Sequence, residues 1–281
     1  MIVFLVLLVI FFTSIAILNA FYQGIKKPDL TPKDYLKRDT RGDRTTIVFA
    51  GDSITHGRIG VNYINFLPES LDEKKFDFIN AGINGQLAWN LLQRIDEIIA
   101  CHPDIITVLI GTNDANGALT PKNRRSTEKR MNLPQEPEHA FFKSSLSEFV
   151  AQLKRETAAK IALISIPTIG ESLDTPELKQ SRSYSITIKE IAEKYDVDYL
   201  PLHEKMEAYL LENPSQPKYD YDKSYLEIAK GIFKRYFLRK SWDSIAQDSG
   251  FQLHVDYLHL NSRGAKIVSS LIGDYIARNS E

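Results

Sequence analysis

The sequence predicts an α/β fold, a parallel sheet with helices on both faces. Three observations carry this. Short apolar segments at 47–50 (IVFA), 76–79 (FDFI), 104–110 (DIITVLI), 161–166 (IALISI) and 197–200 (VDYL) alternate with stretches of helical periodicity. The third is apolar almost throughout, as a central parallel strand is. The first three run into polar, glycine-containing turns, the kind of edge at which open α/β sheets bind ligands. The chain has 281 residues, 43% hydrophobic and 25% charged, which suits one large globular domain or two small ones. A net charge of -1 gives no global pull toward nucleic acid. One cysteine, Cys101, excludes an intrachain disulfide and a Cys-rich metal site, and reads as a small packing residue.

From the N-terminus, residues 2–22 carry no charge. A helix rising about 1.5 Å per residue would span a hydrocarbon core of about 30 Å with this run. No Lys or Arg precedes it, and Leu18 spoils a small-residue cleavage site at Ala20. The expectation is therefore an uncleaved single-pass membrane anchor, with a cleaved signal as the alternative. Lys26, Lys27, Lys33, Lys37, Arg38, Arg41 and Arg44 follow it, and the positive-inside rule would keep the next domain cytoplasmic. A folded domain is also exported against that bias, so the side stays open. Residues 23–44, with Pro28, Pro32 and Gly42 among many charges, read as a tether, and the domain is expected over 45–281.

The 47–50 strand breaks at Gly51-Asp52, which places Ser53 on the turn just past its carboxyl end. Alone, such a serine is most simply a turn residue. A short amphipathic helix is expected over 61–71. The second strand ends in Asn80-Ala81-Gly82-Ile83-Asn84-Gly85, and Leu87, Leu91, Ile95, Ile98 and Ile99 then recur at helical spacing. The third strand ends in Gly111-Thr112-Asn113-Asp114. A polar, proline-punctuated segment, 120–138, leaves on the same side. Helices are expected over 139–159, up to about Tyr195, and from near Asn261 onward. Residues 204–250 read as an insertion with an aromatic stripe, Tyr221, Tyr225, Ile228, Ile232, Phe233 and Tyr236. It packs a small core of its own or caps the substrate.

Before the last helix stands Val255-Asp256-Tyr257-Leu258-His259-Leu260-Asn261. An Asp and a His three apart can hold the imidazole by one nitrogen and leave the other to take a proton from a serine. Backbone N–H groups after a strand, a glycine and an Asn amide would serve an oxyanion.

These turns resemble the conserved blocks of the GDSL/SGNH hydrolase family of esterases and lipases. Gly51-Asp52-Ser53-Ile54-Thr55 is similar to its first block, Asn80 to Gly85 to its second, Gly111 to Asp114 to its third, and Asp256 to His259 to its last. All four occur in family order. The resemblance implies a three-layer α/β/α, flavodoxin-like fold and a serine esterase working through an acyl-enzyme. It implies Ser53 as nucleophile, His259 as base and Asp256 as its partner. The oxyanion hole would be made by the Ser53 and Gly85 N–H groups and the Asn113 side chain, with no metal and no cofactor. Typical members tilt the expected side toward extracytoplasmic. Ile54 stands where the family has leucine, and the 204–250 insertion has no counterpart in its minimal form.

The substrate expected is a small-molecule or lipid ester. The membrane anchor and the aromatic insertion favour lipid or lysophospholipid, and the basic segments 122–130 and 218–240 could rest on anionic headgroups, with a carbohydrate O-acetyl ester as the alternative. Two readings from other classes compete. A two-metal phosphoesterase lacks paired His and Asp ligands. A membrane-tethered binding protein on the same fold would need Ser53 to be inert. His56 rivals His259 as base but has no acidic partner nearby in sequence. His102, His139, His203 and His254 show no metal-ligand spacing.

Overall fold

The computed structural model describes residues 2–38, 42–69 and 71–280. Five parallel strands form one sheet, β1 (Thr45–Gly51), β2 (Phe76–Gly82), β3 (Ile105–Leu109), β4 (Lys160–Ile164) and β5 (Asp198–Leu200), in the order β2-β1-β3-β4-β5. The chain steps from β1 to β2 on one side, then crosses to β3 on the other. That reversal opens a crevice at the carboxyl end of β1. The register aligns Gly51 with Gly82 on one side and with Leu109 on the other. Three turns are thereby delivered to one place.

Alternate strand residues point to opposite faces. Val48, Ala50, Ile79, Ala81, Ile106, Val108, Ile161 and Leu163 face one core. It is closed by α4 (Ala88–Leu92), α5 (Ile95–Ala100), α8 (His139–Glu156) and α9 (Pro176–Tyr195). Ile47, Phe49, Phe76, Ile105, Leu109, Ala162, Ile164 and Leu200 face the other, closed by α10 (Leu202–Glu212) and α13 (Ser262–Asn279). Sheet and two helical layers make the α/β arrangement that the strand–helix alternation predicts. The strands and the 139–159 helix lie where their apolar patterns place them. The 61–71 helix is instead a 3-10 helix, Tyr63–Glu69, with Tyr63 and Leu67 in the core.

Three segments differ from expectation. The helix expected after Leu87 breaks at Gln93-Arg94 into α4 and α5, for a reason found in the site. The polar 120–138 segment contains a helix, α7 (Pro121–Met131), after α6 (Thr112–Ala118). Thr120 caps it by accepting from Asn123 N at 3.1 Å, with Pro121 in the first turn. In the 204–250 insertion, α10 already packs on α13, so residues up to 212 belong to the regular fold. The remainder forms α11 (Ser224–Tyr236) and α12 (Trp242–Ser249). Trp242, Ile245 and Ala246 pack there with Val255 and Tyr236, the separate small core considered above.

The uncharged N-terminal run is one helix, α1 (Ile2–Ile25), with Phe4, Leu7, Phe11, Phe12, Ile15 and Leu18 exposed. Among the described residues no helix is long and apolar enough to cross a membrane. The anchor expectation falls partly outside them, since the side chains of residues 2, 3, 5, 6, 9 and 10 are not described. The stretch expected as a tether is packed over much of its length. Leu30 O accepts from Asn80 N at 2.8 Å, and Tyr35, in α2 (Pro32–Tyr35), is buried against Thr46. Packed chain thus begins before Thr45. Its apolar residues, Leu30, Pro32 and Tyr35, are few but consecutive enough to cover the β2 side of the sheet.

Candidate active site

Asp52 follows β1 and caps the short helix α3 (Ser53–His56), its Oδ1 accepting from Ile54 N at 2.9 Å. This holds Ser53 at the mouth of the crevice. Gly82, at the end of β2, passes against α3. A Cβ there would fall onto His56 N and come within 2.6 Å of the Thr55 carbonyl carbon, so only glycine allows the approach. Asn80 ties the same pair of segments, donating to Thr55 O at 2.7 Å and accepting from Gly82 N at 2.9 Å.

The last block folds as a tight loop between Leu253 and Asn261. Asn261 N donates to Leu253 O at 2.9 Å and Val255 N to His259 O at 2.8 Å. Within it Asp256 Oδ1 accepts from Leu258 N at 2.6 Å and His259 N at 2.9 Å. Its Oδ2 lies 2.9 Å from His259 Nδ1, and His259 Nε2 lies 2.9 Å from Ser53 Oγ. With Nδ1–H donating to the carboxylate, Nε2 accepts from the serine hydroxyl. The three residues, Ser53 lying 206 positions before His259, form one continuous hydrogen-bonded line, all buried.

Electrostatics agree with the geometry. Burial alone would lower the His259 pKa, but the Asp256 carboxylate outweighs it and raises the pKa above the ordinary histidine value. Burial would raise Asp256; His259 and the two amide donors hold it below the usual carboxylate range instead. Asp52 is pushed up to about 7 by burial, and Asp114 to about 8 by burial with the field of Asp52 adding to it. His56, the rival base, is driven down to about 4 by burial and by Arg58. The serine bonds to His259, and His56 Nδ1 has no hydrogen-bond partner among the described residues.

Two of the other expected donors, Gly85 and Asn113, lie near each other. Gly85 has φ +76°, a left-handed backbone that glycine adopts freely. Asn113, in α6, donates from Nδ2 to Gln86 O at 3.1 Å, which joins the third block to the residue after Gly85 and leaves the amide a second N–H. Asp114 accepts from Ala88 N at 3.1 Å and pins the same two segments from below. Met131, at the end of α7, lies against Gly85: a Cβ on that glycine would meet its Sδ at 3.4 Å. The 120–138 segment is thus part of the site's wall.

One residue of the site was not expected. Arg94 Nη2 donates to Ala81 O at 2.6 Å and Nε to Gln86 Oε1 at 2.7 Å, while Nη1 pairs with Glu97 at 3.1 Å. It links the end of β2 to the loop behind Gly85. The backbone leaves helical geometry at Arg94 so that this side chain can reach inward, which breaks the helix between α4 and α5. A trace of this was in the sequence. Arg94 sits three after Leu91 and four before Ile98, on the apolar face, where a cation needs partners.

The insertion reaches the site through two tyrosines. Tyr221 donates its hydroxyl to Asn116 Oδ1, and Asn116 Nδ2 donates to the Tyr225 hydroxyl at 3.0 Å. Asn116 is three residues after Asn113 in α6. Tyr219, Tyr221, Phe251 and Tyr257 pack edge to face next to Asp256. Among the described residues no cluster of three or more His, Cys, Asp or Glu side chains is arranged to hold a metal ion.

Residues 49–267 match the GDSL-like Lipase/Acylhydrolase family. The chain belongs to that family. It is therefore an ester-hydrolysing enzyme, as the four blocks led us to expect. Solved structures with the same fold include the acetyl xylan esterase AlAXEase, at 20% identity and TM-score 0.58, covering 82% of this chain and 99% of that one. Axe2, an acetylxylan esterase from Geobacillus stearothermophilus, is 17% identical with TM-score 0.55, covering 85% and 96%. The lipase/acylhydrolase from Enterococcus faecalis is 19% identical with TM-score 0.53, covering 83% and 95%. No curated protein matches this chain in sequence.

Proposed function

We propose that this GDSL-family enzyme hydrolyses carboxylic esters through an acyl-enzyme on Ser53. The observation that carries the reading is the line Ser53 Oγ–His259 Nε2–Asp256, with 2.9 Å at each link. His259 takes the hydroxyl proton as Ser53 attacks the acyl carbon, and Asp256 holds the tautomer and balances the imidazolium. The alcohol leaves with that proton. Water then adds to the acyl-enzyme by the same base, and Ser53 is regenerated. The N–H groups of Ser53 and Gly85 and the Asn113 amide are assigned to the oxyanion.

For the substrate we favour a short acyl group on a carbohydrate. Ser53 is only 7% exposed, and tyrosines of the insertion dock on the helix that carries Asn113, aromatic surface that suits the apolar face of a sugar ring. Two of the structural neighbours are named as acetyl xylan esterases, which supports the same choice. The lipid reading keeps one specific observation: the end of α1 docks beside the site, with Asn84 Nδ2 donating to Gly24 O at 2.9 Å. With the uncharged run before it, this supports a membrane anchor that holds the site close to a lipid surface. The side of the membrane is proposed as extracytoplasmic.

The test uses the full chain in mild detergent with p-nitrophenyl esters of two to twelve carbons, acetylated xylo-oligosaccharide and lysophospholipid. We expect acetyl esters to be preferred, and fluorophosphonate labelling to disappear in Ser53→Ala and His259→Ala. Faster turnover of lysophospholipid than of acetylated sugar would restore the lipid assignment. Unlabelled folded wild type would sink the acyl-enzyme. Resistance of the chain to carbonate extraction from membranes tests the anchor.

A further inference from the structure

We infer that Glu171 is a positioning residue for the reaction, a buried carboxylate that holds the loop carrying Asp256 and His259. This rests on the assignment of Ser53, His259 and Asp256 made above. Glu171 lies in the segment between β4 and α9, more than eighty residues before the loop it binds, and its side chain is fully buried. Its Oε2 accepts from Gln252 N at 2.7 Å. Its Oε1 accepts from Leu253 N at 2.6 Å, from His254 N at 2.9 Å and from His254 Nδ1 at 2.9 Å. Three consecutive backbone N–H groups and one imidazole thus converge on a single carboxylate. They lie on the limb that enters the Asp256 turn.

The residue before it grips the far side of the turn. Gly170 N donates to Tyr257 O at 2.8 Å, and Gly170 has φ +74°. The dipeptide Gly170-Glu171 therefore clamps the loop on both sides of Asp256. The return limb is closed by the loop's own bonds, Val255 N to His259 O and Asn261 N to Leu253 O, and by Leu260 O accepting from Val61 N at 2.8 Å. The first two each have one end, Val255 or Leu253, at a residue whose backbone Glu171 fixes or adjoins. Without the carboxylate, three amide groups would be left buried and unpaired, and the loop would shift to find partners. A shift there moves His259 relative to Ser53. Displacements of about 1 Å in such a line cost about 10²-fold in rate.

Burial alone would raise the Glu171 pKa; His254 and the amide donors hold it below the ordinary value. The carboxylate is thus charged across the working range, and Glu171→Gln removes both the charge and one acceptor. The groups whose fields act on His259 are Asp256, which bonds to it, and Asp52.

The experiment measures p-nitrophenyl acetate hydrolysis by full-length wild type, Glu171→Gln, Gly170→Ala and Ser53→Ala, with kcat taken per site titrated by fluorophosphonate, so that unfolded protein is not counted. We expect Glu171→Gln to lose kcat by about 10²-fold with KM nearly unchanged. We also expect the acid limb of its kcat/KM profile to move to lower pH, because a displaced Asp256 no longer raises the His259 pKa. Gly170→Ala should move both readouts the same way, since its Cβ would press on the Tyr257 ring at 2.9 Å. If Glu171→Gln yields no folded protein, Gly170→Ala decides by the same two readouts. A role in folding alone would lower the titrated fraction and leave kcat per site and the acid limb at wild-type values, and that result overturns the inference. Activity surviving in Ser53→Ala would overturn the underlying triad assignment instead.

Discussion

As the proposed base, His259 would work only when neutral, and Asp256 raises its pKa above the ordinary histidine value. The sign follows directly. Activity is present above that raised pKa and falls as pH drops through it. We predict an acid limb in kcat/KM with a midpoint above about 6.5, the ordinary histidine value. Asp256→Asn should move the limb down and cut kcat by about 10⁴-fold, because an amide no longer selects the tautomer with Nδ1–H. A pH–rate profile of both proteins reads the two effects together. An unmoved limb in Asp256→Asn would separate the carboxylate from the base. Asp52 behaves differently although it adjoins Ser53. One oxygen caps α3, the other has no partner, and burial pushes the group up to about 7. Its work is the turn.

The secondary-structure elements bring the insertion to the helix that carries Asn113. α6 carries Asn113 on its first turn and Asn116 on its second, and the insertion docks on the latter through Tyr221 and Tyr225. α7 adds Met131 above Gly85 and Asn123, which donates to Asn116 O at 3.0 Å. The docking point of the insertion and the proposed oxyanion donor Asn113 thus share one short helix. We predict that Tyr221→Phe with Tyr225→Phe loosens the insertion without dismantling it. Each lost hydrogen bond costs about 1 kcal/mol. The double variant should accept longer p-nitrophenyl esters with lower KM than wild type does, while kcat for the acetyl ester stays within about 3-fold, a difference of about 0.6 kcal/mol. A chain-length series measures it. An unchanged series would show that the insertion does not set acyl length. Arg94 operates on the opposite side, where its guanidinium holds the end of β2 to the loop behind Gly85.

Beyond the sheet, the N-terminal helix is joined to the catalytic body at its end. Ala20 is buried, and a Cβ on Gly24 would meet Ile232 of α11 at 3.5 Å. Gly24 O receives the Asn84 amide one residue before Gly85. Residues 27–35 then pack along β2, with Lys27 and Asp34 paired at 2.7 Å. α1 therefore has a set direction relative to Ser53 rather than swinging on a free linker. We predict that Gly24→Leu, too large for this contact, undocks α1 and lowers the thermal midpoint by about 2–4 °C per kcal/mol lost. Acetyl ester hydrolysis should persist in that variant, because none of the triad's bonds involves α1. Scanning calorimetry beside the esterase assay checks both, and a complete loss of turnover would make the docked helix part of the working site.

The strands, both faces of helices and the four polar blocks were legible in the chain because each has a local signature. Buried strands such as 104–110 are apolar runs, and the Asp256–His259 pair meets within one turn. The order of the blocks was enough to name the family. The chain alone was not enough to show α7, since its Thr-Pro start sits in a segment too polar to display an apolar face. Nor did it reveal the inward turn of Arg94, the packing of residues 27–35, or the partnership of Glu171 with Gln252, Leu253 and His254. These depend on buried polar groups finding partners far away in sequence, and nothing in the local pattern records which amide a carboxylate will meet. Only the parallel register that sets Gly51 beside Gly82 and Leu109, with the crossover at β1, brings the first three blocks together, and only the Leu253–Asn261 loop carries the fourth to Ser53.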